Sequence, residues 1–106
     1  MSQEHWVEQR RDPRSVCSVL SEVFVTSPAG HQRFLAPAIV ADISNSGLAL
    51  TMDTAPGEHS RLFIRNSYFQ AEVVIRNTVS MGCGVRVGCE FVNRLEWQPE
   101  RLRSLL

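Results

Sequence analysis

The sequence predicts an all-β domain, an antiparallel barrel or sandwich that ends in a short C-terminal helix. Apolar and polar residues alternate with a period of two over several short stretches, as in strands with one buried face. Clusters of turn-forming residues separate these stretches, and a helical period appears at the end of the chain. Short strands joined by turns, with no long helical pattern between them, are typical of antiparallel barrels and sandwiches.

Six segments are predicted to be strands. The three most regular ones carry an apolar residue at every second position, and those residues are expected to face the core. The other three are short or have apolar residues on both faces, and Pro37 is expected at a sheet edge or a strand entry. The six segments are residues 16–25, 35–43, 48–52, 62–65, 69–75 and 85–91.

Turns and a terminal helix complete the predicted architecture. The turn-forming clusters are residues 27–30, 55–58 and 80–84. Within the second cluster, Pro56 and Gly57 stand where a type II turn requires them. Pro99 suits the first turn of a helix. Leucines then recur at spacings of three and four, which predicts a short amphipathic helix over residues 99–106.

The length and composition describe one globular domain over residues 1–106. A chain of 106 residues, of which 43% are hydrophobic, is expected to bury one core. The formal net charge is zero, which argues against a protein that coats nucleic acid by charge, and no apolar run is long enough to span a membrane. The polar N-terminus does not resemble a signal or transit peptide, so we expect a cytoplasmic protein.

Neither a metal site nor an enzyme is predicted. The three cysteines, Cys17, Cys83 and Cys89, match no common zinc spacing, and we expect them to be small, reduced, apolar residues in strands. The three histidines are scattered over predicted loops. No nucleophile, base and orienting group assemble from the sequence, so we expect no catalytic residues and no cofactor.

Arginines near the N-terminus form the first candidate binding motif. All 11 basic residues are Arg, and three of them, Arg10, Arg11 and Arg14, lie together at the entrance to the first predicted strand. Pro13 stiffens this segment and disfavours a helix before it. Guanidinium groups can bind phosphate oxygens in a bidentate manner and can stack on flat rings. An extended, arginine-rich segment therefore suits a flat, anionic ligand.

A second candidate motif lies between the second and third predicted strands, at residues 42–47. Asp42 can accept hydrogen bonds from the N–H edge of a guanine, and the hydroxyl of Ser44 can bind phosphate or backbone. Gly47 permits a positive φ or a close approach of the backbone to a ligand. Taken alone, this segment has the composition of an ordinary hairpin turn.

Together the two motifs resemble those of the PilZ domain family. Arg10 and Arg14 form R-x-x-x-R, and Asp42, Ser44 and Gly47 form D-x-S-x-x-G about thirty residues later. The last predicted strand is similar to the penultimate strand pattern of that family, in which a glycine and then an aromatic residue precede the final helix. The resemblance extends over nearly the whole chain.

The resemblance implies a six-stranded antiparallel β-barrel with a C-terminal α-helix. It also implies that the ligand is cyclic di-GMP, a bacterial second messenger, bound as one molecule or as a stacked pair. In the family, the arginine motif lies on a mobile N-terminal arm that closes over the nucleotide. Residues 1–14 would form this arm here.

The same resemblance implies roles for the motif residues. By position, Arg10 and Arg14 would hold phosphates and stack on guanine, with Arg11 as a further contact. Asp42 and Ser44 would recognise a guanine edge. These are roles in binding and not in catalysis. Gly47 would let the backbone approach the ligand.

We therefore expect a cyclic di-GMP receptor that signals through an unidentified protein partner. One alternative is an adaptor with the same fold that does not depend on the nucleotide. Another is a small barrel that binds single-stranded nucleic acid, which an aromatic content of 8% and the zero net charge disfavour. Arg76 and Arg86, on neighbouring predicted strands, are expected to face outward into solvent, and a position beside the ligand is the alternative.

Overall fold

The computed structural model describes residues 14–57 and 59–93, which form six strands and the turns between them. The strands are β1 (Ser15–Thr26), β2 (Gln32–Ile43), β3 (Gly47–Met52), β4 (Arg61–Arg65), β5 (Gln70–Ser80) and β6 (Val85–Phe91). The predicted C-terminal helix at 99–106 lies outside the described residues. So does the predicted arm, apart from Arg14.

The strands close into a barrel, which decides between the two predicted architectures. Their order around the barrel is β1-β2-β3-β6-β5-β4, and every neighbouring pair is antiparallel. The barrel closes where residues 22–24 of β1 pair with residues 63–65 of β4. The prediction of an all-β, six-stranded antiparallel barrel is confirmed.

The interior of the barrel is filled by one face of each strand. Because successive side chains of a strand point to opposite sides, the apolar residues at alternate positions meet inside. The largest fully buried side chains are Val23, Val40, Ile43, Leu50, Leu62, Ile64, Val73 and Val87. The core faces predicted from the alternation in the second half of the chain are confirmed, although Phe69, Ile75 and Val85 are only half-buried.

Two strands extend by three residues or more beyond the predicted segments. β5 continues from Ile75 to Ser80, where its polar residues pair with the first half of β6 and form an exposed hairpin. β2 begins at Gln32, so Pro37 lies inside the strand and not at its entry. Pro37 is tolerated there because only β1 pairs with it, opposite Glu22. The other side of β2 is open at this point, since β3 pairs with residues 39–43, so Pro37 lies at a local sheet edge as expected.

The cysteine prediction is confirmed for two of the three residues. Cys17 and Cys89 are buried thiols in β1 and β6, whereas Cys83 is exposed in the turn between β5 and β6. Its flanking glycines, Gly82 and Gly84, both have positive φ, as a tight turn requires. Over residues 14–57 and 59–93, no helix has the length and apolar character needed to cross a bilayer.

Candidate functional site

Four of the six predicted site residues meet on one side of the barrel. Antiparallel pairing of Ser15 with Ile43 brings the start of β1 to the end of β2. Arg14 therefore lies next to Asp42, and the short turn after β2 places Ser44 and Gly47 beside them. Arg10 and Arg11 lie outside the described residues, so their place relative to this group stays a prediction.

A β-bulge turns Asp42 to the outside of the barrel. Val40 pairs with Leu50, and Asp42 pairs with Ala49, so Ala41 is an extra residue in β2. Val40 and Leu50 both face the core. Because the bulge reverses the alternation, Asp42 points outward although it is only two residues from Val40. Register shifts in β1 and β5 occur at the same level of the barrel.

The carboxylate of Asp42 is held between two arginines. Nη1 of Arg14 lies 3.3 Å from Oδ1, and Nη2 of Arg86 donates a hydrogen bond to Oδ2. The Asp42 side chain is 11% exposed, whereas those of Arg14 and Arg86 are 48% and 42% exposed. Arg86 was expected to be solvated, but its guanidinium is paired because the order of β2, β3 and β6 places it within reach of Asp42.

The hydroxyl of Ser44 organises the turn between β2 and β3. Its Oγ accepts hydrogen bonds from the N–H groups of Ser46 and Gly47, each at 3.3 Å. The same oxygen lies 3.2 Å from Oγ of Ser46, and the N–H of Ser44 donates to the carbonyl of Gly47 at 2.8 Å. The turn therefore presents its polar groups in a fixed arrangement at the edge of the site.

Gly47 is required by the neighbouring strand. Its φ is not positive, because the positive values belong to other glycines. A Cβ atom at Gly47 would instead lie 2.0 Å from the carbonyl oxygen of Cys89 and 3.1 Å from Cα of Glu90. Glycine is thus needed at position 47 because another group lies very close to it. Within the described residues, that group is the backbone of β6.

A pocket of about 180 Å³ adjoins these residues. It is lined by Arg14, Ser44, Ser46, Gly47, Leu48, Arg76, Asn77, Gly88, Cys89 and Glu90. From the sequence, a position beside the ligand was only the alternative for Arg76, and Asn77 and Glu90 were given no part in the site. Nε of Arg76 lies 2.9 Å from Oε1 of Glu90, so this arginine is also paired and not simply solvated. Its position at the bulge of β5, opposite β6, depends on a register that sequence periodicity does not reveal.

The cysteines near the site are protonated at neutral pH. Burial raises the pKa of Cys89 to about 12. The pKa of Cys17 is raised by burial and, to a smaller extent, by the negative charge of Asp42. Since the thiolate is the reactive form, neither thiol is activated as a nucleophile, and Cys89 forms part of the pocket lining.

A second pocket, of about 540 Å³, lies between β1, β2 and the turn after β4. It is larger, but it contains none of the predicted site residues. Four of its polar residues pair with one another, since Arg65 contacts Glu22 at 3.0 Å and Asn66 donates to Ser21 at 3.0 Å. The smaller pocket therefore remains the candidate site.

Comparison with known proteins agrees with this architecture. The family model of the PilZ domain matches residues 8–106. Among solved structures, the MrkH–c-di-GMP complex of K. pneumonia is similar with a TM-score of 0.58 and 18% identity, covering 91% of this chain and 50% of that chain. YcgR of Escherichia coli in complex with c-di-GMP gives a TM-score of 0.55 and 13% identity, covering 92% and 42%.

The PilZ domain of the same E. coli protein, solved with c-di-GMP, gives a TM-score of 0.51 and 15% identity, covering 92% of this chain and 86% of that one. The chain spans about half the length of the MrkH and YcgR chains or less. No curated protein matches the sequence significantly. At these identities the solved structures support the fold, while the family model covers most of the chain. The chain belongs to the PilZ domain family.

Proposed function

We propose that this protein is a cytoplasmic receptor for cyclic di-GMP and not an enzyme. The observation that carries the proposal is that Arg14 meets Asp42, 28 residues further along the chain, beside the pocket that Ser44 and Gly47 line. Two of the similar structures, MrkH and YcgR, are complexes with c-di-GMP, which supports the same ligand class here.

The chemistry of the site suits a nucleotide with two phosphates and two guanines. A carboxylate such as that of Asp42 accepts hydrogen bonds from the N–H edge of a guanine, and guanidinium groups bind phosphates and stack on purines. Arg14, Asp42 and Arg86 together carry one net positive charge, whereas Arg76 and Glu90 neutralise each other. The described part of the site therefore attracts an anion.

The N-terminal segment completes the proposal. Residues 1–14 are proposed to form an arm that closes over the nucleotide, with Arg10 and Arg11 adding contacts to phosphate or guanine. A segment that becomes ordered on a ligand is a common type of molecular switch. Two exposed apolar side chains on the outer face of β1, Val16 and Leu20, support the proposal that a protein partner recognises this closed form.

The expected affinity follows from a few contacts. Two charge-assisted contacts of about 1.5–3 kcal/mol each and cation–π stacking of about 0.5–2 kcal/mol favour binding. Ordering the arm and immobilising the ligand oppose it. We therefore expect a dissociation constant near the micromolar range, equivalent to about −8 kcal/mol.

Isothermal titration calorimetry with cyclic di-GMP tests the proposal, with GTP and cyclic di-AMP as competing nucleotides. Arg14→Ala removes a predicted ligand contact, and Arg65→Ala is the matched control because Arg65 is as exposed and ion-paired but lies away from the pocket. We expect guanine-selective binding that Arg14→Ala weakens strongly and Arg65→Ala preserves. Absence of binding by the folded protein, or equal binding by both variants, would refute the proposal.

The nucleotide-independent adaptor predicts a different result for partner binding. If the protein is a receptor, a partner captured with it should bind differently in the presence and absence of cyclic di-GMP. A partner whose affinity is the same in both conditions, and for Arg14→Ala, would support the adaptor function instead.

A further inference from the structure

The carboxylate of Asp42 already has two arginine partners. Both of its oxygens already accept from arginines, Oδ1 from Arg14 and Oδ2 from Arg86. Its side chain is consequently only 11% exposed. Because the two guanidinium groups cover the carboxylate, a guanine can reach it only if one of them moves away.

The two arginines differ in how firmly they are held. Arg14 precedes the first residue of β1, and its 3.3 Å contact lies near the outer limit of a hydrogen bond. Arg86 is the second residue of β6, and its backbone is paired with Thr51 of β3 on one side and with Val79 of β5 on the other. Arg14 is therefore the one that can leave, and Arg86 is anchored.

Small residues clear the path of the Arg86 side chain. Asp42, Ala49 and Gly88 are neighbours across β2, β3 and β6, and Arg86 lies two residues before Gly88. The side chain must cross β3 next to Ala49 to reach Asp42. Ala49 faces the same side of the sheet as Asp42 and is nevertheless 2% exposed, as expected of a methyl group beneath a covering side chain.

We propose that Arg86 is the positioning residue for guanine recognition, a deepening that rests on the proposed function. It holds Asp42 through Oδ2, so that the carboxylate presents both oxygens to the N1–H and 2-amino groups of one guanine. Each carboxylate oxygen has two acceptor sites, so Oδ2 can keep Arg86 and still accept from the base. Arg14 releases Oδ1 when the ligand enters and becomes available to phosphate.

The test compares two ligands that differ at the base edge. Cyclic di-IMP has the phosphates of cyclic di-GMP but lacks the 2-amino group, so it uses one of the two Asp42 contacts. We expect Arg86→Gln to weaken cyclic di-GMP binding about tenfold, as for loss of a charge-assisted hydrogen bond, and cyclic di-IMP binding only about threefold. Preference for the guanine ligand should thus fall, while the lost positive charge weakens the binding of both ligands alike.

Two further variants complete the experiment. Arg86→Lys keeps the charge with a single point of contact and should give an intermediate loss of preference, which also serves if Arg86→Gln folds poorly. Arg65→Gln is the matched control and should change neither affinity. A wild-type protein that binds no cyclic di-GMP refutes the proposed function itself. If Arg86→Gln leaves binding unchanged, or weakens the binding of both ligands equally, only the role of Arg86 is refuted.

Discussion

Gly47→Ala is expected to destabilise the barrel through a clash between two backbones. The new Cβ would lie 2.0 Å from the carbonyl oxygen of Cys89, whereas ordinary van der Waals contact begins at 3.4 Å. β3 and β6 would have to move apart by about 1.4 Å at this point. That movement would strain the neighbouring hydrogen bond from the N–H of Phe91 to the carbonyl of Ser46, which is 2.9 Å long.

The expected loss of stability in Gly47→Ala is the difference between two opposing effects. Overpacking costs about 1–3 kcal/mol, and the upper end applies because the obstacle is backbone in a paired strand. Replacing glycine by alanine in a strand contributes about 0.5–1 kcal/mol in the other direction by restricting the unfolded chain. We therefore expect a net loss of about 2 kcal/mol in the free energy of unfolding, which for a domain of this size lowers the melting temperature by roughly 10 °C.

Gly88→Ala provides the matched control. Its Cβ would meet the side-chain oxygen of Asn77 at 2.6 Å, but Asn77 is exposed and can rotate away. Its net effect should therefore stay within about 0.5 kcal/mol of wild type. Urea unfolding followed by far-ultraviolet circular dichroism measures both variants. Equal stability of Gly47→Ala and Gly88→Ala would refute the steric explanation of Gly47.

Three other predictions concern Arg14 and the cysteines. Arg14→Ala should change the free energy of unfolding by less than about 1 kcal/mol in a urea titration, because its contact is half-exposed; a larger loss would give Arg14 a structural role. A maleimide should label Cys83 in the native protein, whereas Cys17 and Cys89 should react only after unfolding. Peptide mass spectrometry identifies the labelled residues, and labelling of Cys89 in the native protein would contradict its burial. Because burial raises the pKa of Cys89 from 9.0 to about 12, the unfolded chain loses this proton first and stability should fall as the pH rises through that window. In urea titrations at alkaline pH, the stability of Cys89→Ala should fall less steeply with pH than that of the wild type. Identical slopes for the two proteins would contradict the raised pKa of Cys89.

The strands and their buried faces could be predicted because a period of two maps directly onto the two sides of a strand. Val87, Cys89 and Phe91 are buried in β6 as the alternation predicted. Strand ends were harder to predict, since the polar residues that end β5 are held by pairing with β6 and not by their own propensity. The stabilisation that a strand gains from its partner is absent from the pattern of a single segment.

The site was predicted from residue types and spacing, but its geometry depends on long-range register. Alternation alone would have placed Asp42 on the same side as the fully buried Val40, and only the bulge at Ala41 reverses this. Arg86 reaches Asp42 because β6 lies beside β3, an order that the sequence does not specify. The motif therefore identified Asp42 and missed the residue that holds it.

A heteronuclear NMR titration with cyclic di-GMP tests the central claim most directly, since it reports both binding and its place. The backbone amides of residues 44–47 and 88–90, which border the smaller pocket, should shift in a saturable manner. Those of Ser27, Ala29 and Gly30, in the turn at the far end of β1, should stay unchanged. Unchanged spectra from a folded protein, or shifts centred on Phe34 and Asn66 in the larger pocket, would contradict the account.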